Sequence, residues 1–409
     1  MQSLDVLPRS RIFYGWFVVA AAFAVTFIGF GSAYSFSAFL PSLQQEFSAS
    51  RGSVSLVFSL AGFLYFGLGI VSGPLADRFG ARPLAIAGML LVGCGLALAG
   101  IARSLQEVYL AYGLGVGLGA GFSYVPVVGT VQRWFVKRRG FASGLAVSGI
   151  GVGTLVMPPV AAVLVDLHGW RTAYIALGAF AAIAGVGMSL LIQDDPRQRG
   201  LGPDGGPMLA DAGTGVPSGT TVGEAVRSRE FIVLYIASAI CSFGVFVPFV
   251  HLVPYAIDQG VAGPSAVLLL GVIGVGSTAG RFLLGGLADR MGRRRALLMG
   301  FIGMGLALLI WAASTSFVAL ATFAFVYGVF YGGWVAVMPA VVMDSFGARH
   351  VSGIIGALYT SVALGTLIGP TAAGYAFDAT GSYRLPILVA VAGNLIAAVI
   401  VAAHPKRSK

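Results

Sequence analysis

Residues 266–289 read AVLLLGVIGVGSTAGRFLLGGLAD. The stretch is apolar and glycine-rich over more than twenty residues, enough for a helix to cross a hydrocarbon layer about 30 Å thick. Arg281 breaks the pattern eight residues before Asp289, about 12 Å along a helix from the charged end. Keeping an arginine there costs at least about 2.5–3.5 kcal/mol, and no acid lies one helical turn away. We therefore expect Arg281 to face a cavity and bind an anion; the alternative is a structural arginine that snorkels or bonds carbonyls of neighbouring helices.

The composition of the whole chain is that of a polytopic helical membrane protein. Of its 409 residues, 57% are hydrophobic and 10% are charged, which excludes an ordinary soluble protein. The net charge is +10, and the basic residues lie in short loops between apolar spans. We therefore expect the protein to lie in a lipid bilayer and not to bind nucleic acid. Twelve spans are predicted, at residues 13–40, 53–76, 83–102, 106–131, 140–165, 170–192, 230–257, 265–288, 295–314, 317–343, 351–377 and 382–403.

A Gly/Pro/Asp-rich segment divides these spans into two groups of six. We predict an N-terminal six-helix bundle at residues 1–192, a cytoplasmic linker at 193–228 and a C-terminal six-helix bundle at 229–409, with a short amphipathic piece near Thr221–Arg227. Twenty of the 25 Lys and Arg residues lie at the termini and in the even-to-odd loops, four lie in the opposite loops, and the last is Arg281. This bias places both termini in the cytoplasm.

The two halves carry the same motif at one helix end. Residues 73–83 read GPLADRFGARP and residues 285–295 read GGLADRMGRRR, an offset of 212 positions. Such a repeat predicts a substrate site between the halves near the midplane. Gly80 and Gly292 suit the tight turn. We interpret the charged pairs as a cytoplasmic gate latch rather than a substrate site; they are Asp77 with Arg78 and Asp289 with Arg290.

The doubled G-x-L-A-D-R-x-G motif with twelve spans resembles the major facilitator superfamily over essentially the whole chain. FYGWFVVAAAF at residues 13–23 and QRWFVKRRGFASGLAVSGIGVGTLVMPP at residues 132–159 resemble its monocarboxylate porter and oxalate/formate antiporter branch. The resemblance implies an all-α fold of two parallel six-helix halves. It also implies that Arg281 binds the substrate carboxylate. Ser277 stands where animal members have an aspartate, so the resemblance does not identify the residue that carries the proton in this chain.

Missing lysines bear on the substrate. The resemblance leads us to look for a lysine in the first span, as in animal monocarboxylate porters, and for one in the eleventh, as in the oxalate/formate antiporter, and this chain has neither. One fixed cation balances one carboxylate, whereas oxalate would leave net negative charge in a low-dielectric site. A monocarboxylate is therefore favoured.

Further contacts to the substrate are expected from polar side chains in the spans that line such cavities. A tyrosine hydroxyl can donate to a carboxylate while its ring packs on an aliphatic body. Each candidate also has the alternative of helix packing or interface anchoring. The candidates are Tyr34, Ser123, Tyr124, Tyr331, Tyr359 and Ser361.

Proton coupling needs a titratable group, and Asp258 and His251 in PFVHLVPYAID are the candidates. Pro248 and Pro254 can kink that span and bring Asp258 inward; otherwise it is a solvated acid, and His251 is a packing residue. Other acids at span ends, including Asp378, are interpreted as loop charges.

We thus expect a multi-pass secondary transporter of the cell inner membrane that moves a small monocarboxylate, such as L-lactate or pyruvate, with a proton. An organic-anion exchanger of the oxalate/formate type and, more remotely, a membrane carboxylate sensor remain alternatives. No HExxH motif and no mid-span pair of acids is present, so we expect no enzyme activity, metal or cofactor. No obligate protein partner is inferred.

Overall fold

A computed structural model describes residues 13–206, 219–347 and 350–404; within these ranges the side chains of Asp77, Arg139, Asp289 and Ser352 lie outside the description. The described chain is almost entirely helical. Its membrane spans, numbered here in chain order, are α1 (Gly15–Tyr34 and Phe36–Phe47), α2 (Arg51–Gly67 and Gly69–Phe79), α3 (Ala81–Gly100), α4 (Leu105–Trp134), α5 (139–168), α6 (170–189), α7 (Arg229–Val245 and Val247–Asp258), α8 (Gly263–Met291), α9 (Arg293–Ala313), α10 (Phe317–Phe346), α11 (Val351–Thr380) and α12 (Arg384–Ala403).

Length and apolarity let ten stretches of the described chain cross a membrane, and an eleventh is added when the two parts of α2, bent by 43°, count as one span. One of the ten, Phe141–Ser189, is 49 residues long. At about 1.5 Å per residue it is more than twice as long as a bilayer needs. Gly169, at φ 78°, breaks it into α5 and α6. The predicted fold of twelve spans in two halves of six is confirmed.

The repeated motif ends a helix in the same way in both halves. Gly80 has φ 88° and Gly292 has φ 93°, values that favour glycine because a side chain would be strained there. The amide of Gly80 donates to the carbonyl of Ala76, and that of Gly292 donates to Ala288. The turns predicted from the repeat are therefore present at both positions.

The charged part of the motif stays a prediction. Arg78 and Arg290 are exposed at the ends of α2 and α8, and the Arg78 guanidinium lies 5.2 Å from the ring of Phe79. The side chains of Asp77 and Asp289 lie outside the described residues.

The first helix of each half is interrupted near its middle. In α1 the break falls at Ser35, directly after Tyr34, and in α7 it falls at Phe246. Broken helices are a common way to bring side chains to a midplane site. The break in α1 separates Tyr34, which lines the central cavity, from the outer segment of that helix.

Glycines bring the two halves into close contact along α5 and α8. A methyl group added at Gly274 would lie 2.6 Å from the carbonyl oxygen of Gly151. A second such contact joins α2 and α11, where a methyl group at Gly374 would lie 2.6 Å from the Cα of Gly52. Small residues let helix backbones approach in lipid, so these two crossings hold the halves together.

The linker is attached to both halves. Asp204 accepts hydrogen bonds from the amides of Val136 and Lys137 at the end of α4. The predicted short helix is present as Val222–Arg227, begun by a capping box. Just before it, the amide of Thr220 donates to the carbonyl of Phe346.

Candidate functional site

A cavity lies between the two halves, where the repeat predicts a site. Its volume is about 30 Å³, whereas one ordered water needs about 10–15 Å³. A cavity of this size favours a small ligand. The N-terminal half contributes α1, α2, α4 and α5, and the C-terminal half contributes α8, α10 and α11; the lining residues are Phe30, Tyr34, Phe66, Tyr124, Ile150, Arg281, Tyr331, Trp334, Val335, Met338, Tyr359 and Val362.

Arg281 is the charged group of this cavity. Its side chain is only 7% exposed. Its Nη1 donates to the carbonyl of Val147 in α5, across the interface between the halves. Its Nε and Nη2 are buried and have no hydrogen-bond partner among the described residues. The one carbonyl contact expected of a structural arginine is present, but it leaves an N–H fork able to bind two oxygen atoms.

The four predicted tyrosines line the same cavity. Tyr34 and Tyr331 come from opposite halves, and their hydroxyl oxygens are 3.2 Å apart. Tyr124 packs edge-on against Phe30 at 5.1 Å between ring centroids. Tyr359 lies beside Phe66 at 6.0 Å. The structure thus brings four tyrosines, each from a different helix, together with Arg281 of α8.

The two predicted serines lie elsewhere. Ser123 donates to the carbonyl of Gly119, four residues earlier in α4, and Ser361 donates to the carbonyl of Leu358 in α11. Both are buried and neither lines the cavity. Such a bond satisfies a serine within its own helix, so a serine beside a lining residue need not turn toward the cavity.

Asp258 lies at the outer end of α7 and does not reach Arg281. It forms a two-bond ion pair with Arg51 at the start of α2, with N–O distances of 2.6 and 2.8 Å. Asp378 in α11 accepts hydrogen bonds from the backbone amides of Arg51 and Gly52 at 3.0 and 2.8 Å. Asp378 is therefore a helix-capping acid rather than the solvated loop charge expected, because the start of α2 needs acceptors for its free amides.

His251 lies one to two turns deeper than Asp258 and is fully buried. Its Nε2 is 2.7 Å from the carbonyl oxygen of Pro370, and its Nδ1 is 2.9 Å from the hydroxyl of Tyr383. Because a carbonyl only accepts, Nε2 carries the hydrogen. In a neutral ring Nδ1 is then an acceptor, and the hydroxyl of Tyr383, which accepts from Arg51 at 3.2 Å, donates to it. These partners suit a neutral His251.

We call Arg51, His251, Asp258, Asp378 and Tyr383 the outer polar network. It joins α2 of the N-terminal half to α7 and α11 of the C-terminal half and to the start of α12. Burial raises the pKa of the Tyr383 hydroxyl, so that hydroxyl keeps its hydrogen and remains a donor. The network ties the outer ends of the halves together.

An aromatic layer lies between this network and the cavity. The Phe249 ring is 4.7 Å from the Tyr34 ring and 5.1 Å from the Tyr331 ring. Together with the hydroxyl contact between the two tyrosines, it closes the outer route to Arg281. The cavity lining continues toward the cytoplasmic end of α10 through Val335 and Met338.

Sequence reasoning missed Arg51, Tyr383 and Trp334. One signal was present for Arg51, which is one of only four cations in the outer loops. Tyr383 and Trp334 carry no such signal, because aromatic residues are common near membrane interfaces and in helix packing.

The cavity suits an anion. The charged group in its described lining is a cation, and the remaining polar groups there are tyrosine hydroxyls and the indole of Trp334. Arginine and indole groups only donate hydrogen bonds. A bound molecule must therefore supply acceptors, and a carboxylate supplies two on one planar group.

Comparison with known proteins identifies the family. Residues 22–288 and 234–409 match the Major Facilitator Superfamily. Monocarboxylate transporter 11 of Mus musculus is 33% identical over 389 residues, which cover 92% of this chain and 84% of that protein. Monocarboxylate transporter 3 of Rattus norvegicus is 30% identical over 401 residues, with 95% and 79% covered.

A solved structure shares the fold. A bacterial homologue of the human lysosomal transporter Spinster, in an inward-facing and unoccupied conformation, matches with a TM-score of 0.75 at 16% identity, covering 95% of this chain and 96% of that one. Taken with the family match and the two relatives, the chain belongs to the Major Facilitator Superfamily and, within it, to the monocarboxylate transporter-like family of multi-pass membrane transport proteins, which are not enzymes.

Proposed function

We propose that this protein moves a small monocarboxylate, such as L-lactate or pyruvate, together with a proton across the cytoplasmic membrane by alternating access. The names of its relatives point to monocarboxylates. The cavity between the halves supports the same class of substrate, because it is small and its charged group is one arginine.

One observation carries the proposal. Arg281 is buried in the cavity wall, and its Nε and Nη2 have no partner among the described residues. A buried cation without a counter-ion costs several kcal/mol. A monocarboxylate removes this cost by pairing both oxygens with the fork, whereas a dicarboxylate would bring a second charge that the described lining does not balance.

Asp258 is the proposed proton carrier. Its side chain is 33% exposed at the outer face, whereas His251 is fully buried and has both ring nitrogens satisfied. A proton from outside reaches Asp258 first. Protonation removes the charge that holds Arg51, and this loosens the outer polar network. His251 then serves to orient Tyr383.

The proposed cycle follows from these parts. With Asp258 protonated, the outer ends of the halves separate and the acid anion enters to pair with Arg281. Pairing of the anion with Arg281 lowers the cost of closing the cavity. The halves then rock about the glycine crossings, and the anion leaves on the cytoplasmic side through the region of Val335 and Met338. The proton leaves Asp258 to the cytoplasmic side as well, and its loss restores the Arg51–Asp258 pair.

Uptake by liposomes holding purified protein tests the proposal. We expect labelled L-lactate to enter when the outside is more acidic than the inside. Arg281→Ala should abolish this uptake, because no other cation lines the described cavity. Arg103→Ala removes an exposed outer-loop arginine and should leave uptake near the wild-type rate.

Protein recovered in the liposomes must be equal for the three forms. Normal uptake by Arg281→Ala would overturn the proposed role of this residue. Absence of uptake by the wild-type protein under any gradient would overturn the proposed substrate.

A further inference from the structure

Trp334 is a second unpartnered donor in the cavity wall. It lies in α10 one turn after Tyr331 and is 4% exposed. Its Nε1–H is buried and has no hydrogen-bond acceptor among the described residues. Leaving a buried donor unpaired is unfavourable, and Trp334 lines the same cavity as the unpartnered Nε and Nη2 of Arg281.

The donors outnumber the oxygens of a simple carboxylate. The Arg281 fork takes both carboxylate oxygens when it binds them side by side. The Trp334 N–H then needs a third acceptor. The oxygen acceptors on side chains of the described lining are tyrosine hydroxyls, and none of them forms a hydrogen bond with the Trp334 N–H. A ligand with one more oxygen close to its carboxylate meets this need.

Trp334 is placed to reach such an oxygen. Residues three apart on a helix share a face, and the rings of Tyr331 and Trp334 are 6.4 Å apart. The oxygen on C2 of a 2-oxo or 2-hydroxy acid is next to the carboxylate, so both groups fit within a small cavity.

We propose that Trp334 donates its indole N–H to the C2 oxygen of the substrate and thereby selects 2-oxo and 2-hydroxy monocarboxylates over aliphatic acids of the same length. The inference rests on the proposed function and adds a specificity-determining residue to it. Propionate is the matched poor substrate, because it has the three carbons of lactate and pyruvate but no oxygen on C2.

The test compares half-saturating concentrations for L-lactate and propionate in the same liposomes. The wild-type protein should require less lactate than propionate. Trp334→Phe keeps an aromatic ring and removes the donor, so it should raise the lactate value about tenfold, as for one lost hydrogen bond to a charged or buried partner. The propionate value should stay within about twofold.

Trp311→Phe is the control variant. Trp311 is also fully buried with an unpartnered Nε1, but it packs against Phe323 in the C-terminal half and does not line the cavity. This variant should leave the ratio of the two values unchanged. The ratio is independent of how much folded protein is present.

The outcomes separate the two proposals. A wild-type protein that treats the two acids alike, or a Trp334→Phe variant that changes both values equally, would overturn the role of Trp334. A wild-type protein that transports neither acid would overturn the proposed function itself. Lactate transport without measurable propionate transport supports the inference, provided that Trp334→Phe loses lactate affinity and Trp311→Phe does not.

Discussion

At the scale of single residues, the shape of the Arg281 side chain matters as much as its charge. Its Nη1 already donates to Val147, while Nε and Nη2 remain for a ligand. Lysine keeps a positive charge but has one compact ammonium group on a flexible stem, so it cannot make the same side-by-side contact. We expect Arg281→Lys to lower the rate of L-lactate uptake at least about tenfold, equivalent to about 1.4 kcal/mol.

Proton-driven uptake in liposomes measures this effect. Arg103→Lys, at an exposed site in the loop before α4, is the control and should transport normally. If Arg281→Lys matches the wild type, a positive charge alone is sufficient and the fork has no role.

Much of the site could be predicted from residue types alone, and the limit has a physical cause. Arg281 stood out because a charge inside an apolar span is costly. The helices here are apolar on nearly all faces, so periodicity does not reveal which face turns to the cavity. Ser123 was therefore expected at the cavity although it bonds its own helix, and Trp334 was overlooked although it lines it.

At the scale of helices, the ion pair between α2 and α7 holds the outer ends of the halves together. Asp258→Asn keeps the size of the side chain but removes the charge that Arg51 binds with two hydrogen bonds. The ion pair is expected to contribute about 1 kcal/mol, the upper range for a partly exposed pair. Its loss in Asp258→Asn should shift the equilibrium between the closed and the open outer side about fivefold toward the open one.

Thiol labelling from outside reports this shift. Ser59 lies eight residues into α2, is fully buried and contacts Thr371 of the other half at 2.9 Å. In protein with Cys94 and Cys241 replaced by alanine, a cysteine at position 59 should react with an impermeant maleimide about fivefold faster when Asp258→Asn is present.

Asp166→Asn changes an exposed acid at the end of α5 and should leave the labelling rate unchanged. An equal rate in Asp258→Asn and its parent would show that the Arg51–Asp258 pair does not hold the outer side closed.

The positions of the helices were predictable, but their breaks were not. A span needs only about twenty apolar residues, and that signal placed all twelve. The break at Ser35 contains no proline, and the break in α7 falls at Phe246, ahead of Pro248 and Pro254. These breaks depend on packing between helices, which one sequence does not display. For the same reason the sequence left open whether Asp258 turns inward or stays at the surface; its partner Arg51 keeps it at the outer face.

At the scale of the whole molecule, the candidate anion site and the candidate proton site lie at different depths between the same two halves. The cavity around Arg281 is near the middle, and the outer polar network is at the outer end. In the proposed cycle, anion binding at Arg281 and proton binding at Asp258 therefore act on one rearrangement without direct contact between the two sites. The anion favours a state in which Arg281 is paired, and the proton favours a state in which Arg51 and Asp258 are apart.

This arrangement predicts electroneutral transport. One proton on Asp258 and one monoanion on Arg281 carry no net charge together, so a potassium diffusion potential set with valinomycin should not change L-lactate uptake. An inward proton gradient should drive accumulation, up to about tenfold for each unit of pH difference, since one unit corresponds to about 1.4 kcal/mol. Liposomes holding Arg281→Ala correct for lactic acid that crosses the bilayer unaided.

Uptake that follows the membrane potential would contradict one-to-one coupling. Uptake that needs an internal organic anion and ignores the pH gradient would make the protein an exchanger, in which Arg281 binds each anion in turn and Asp258 only helps to close the outer side.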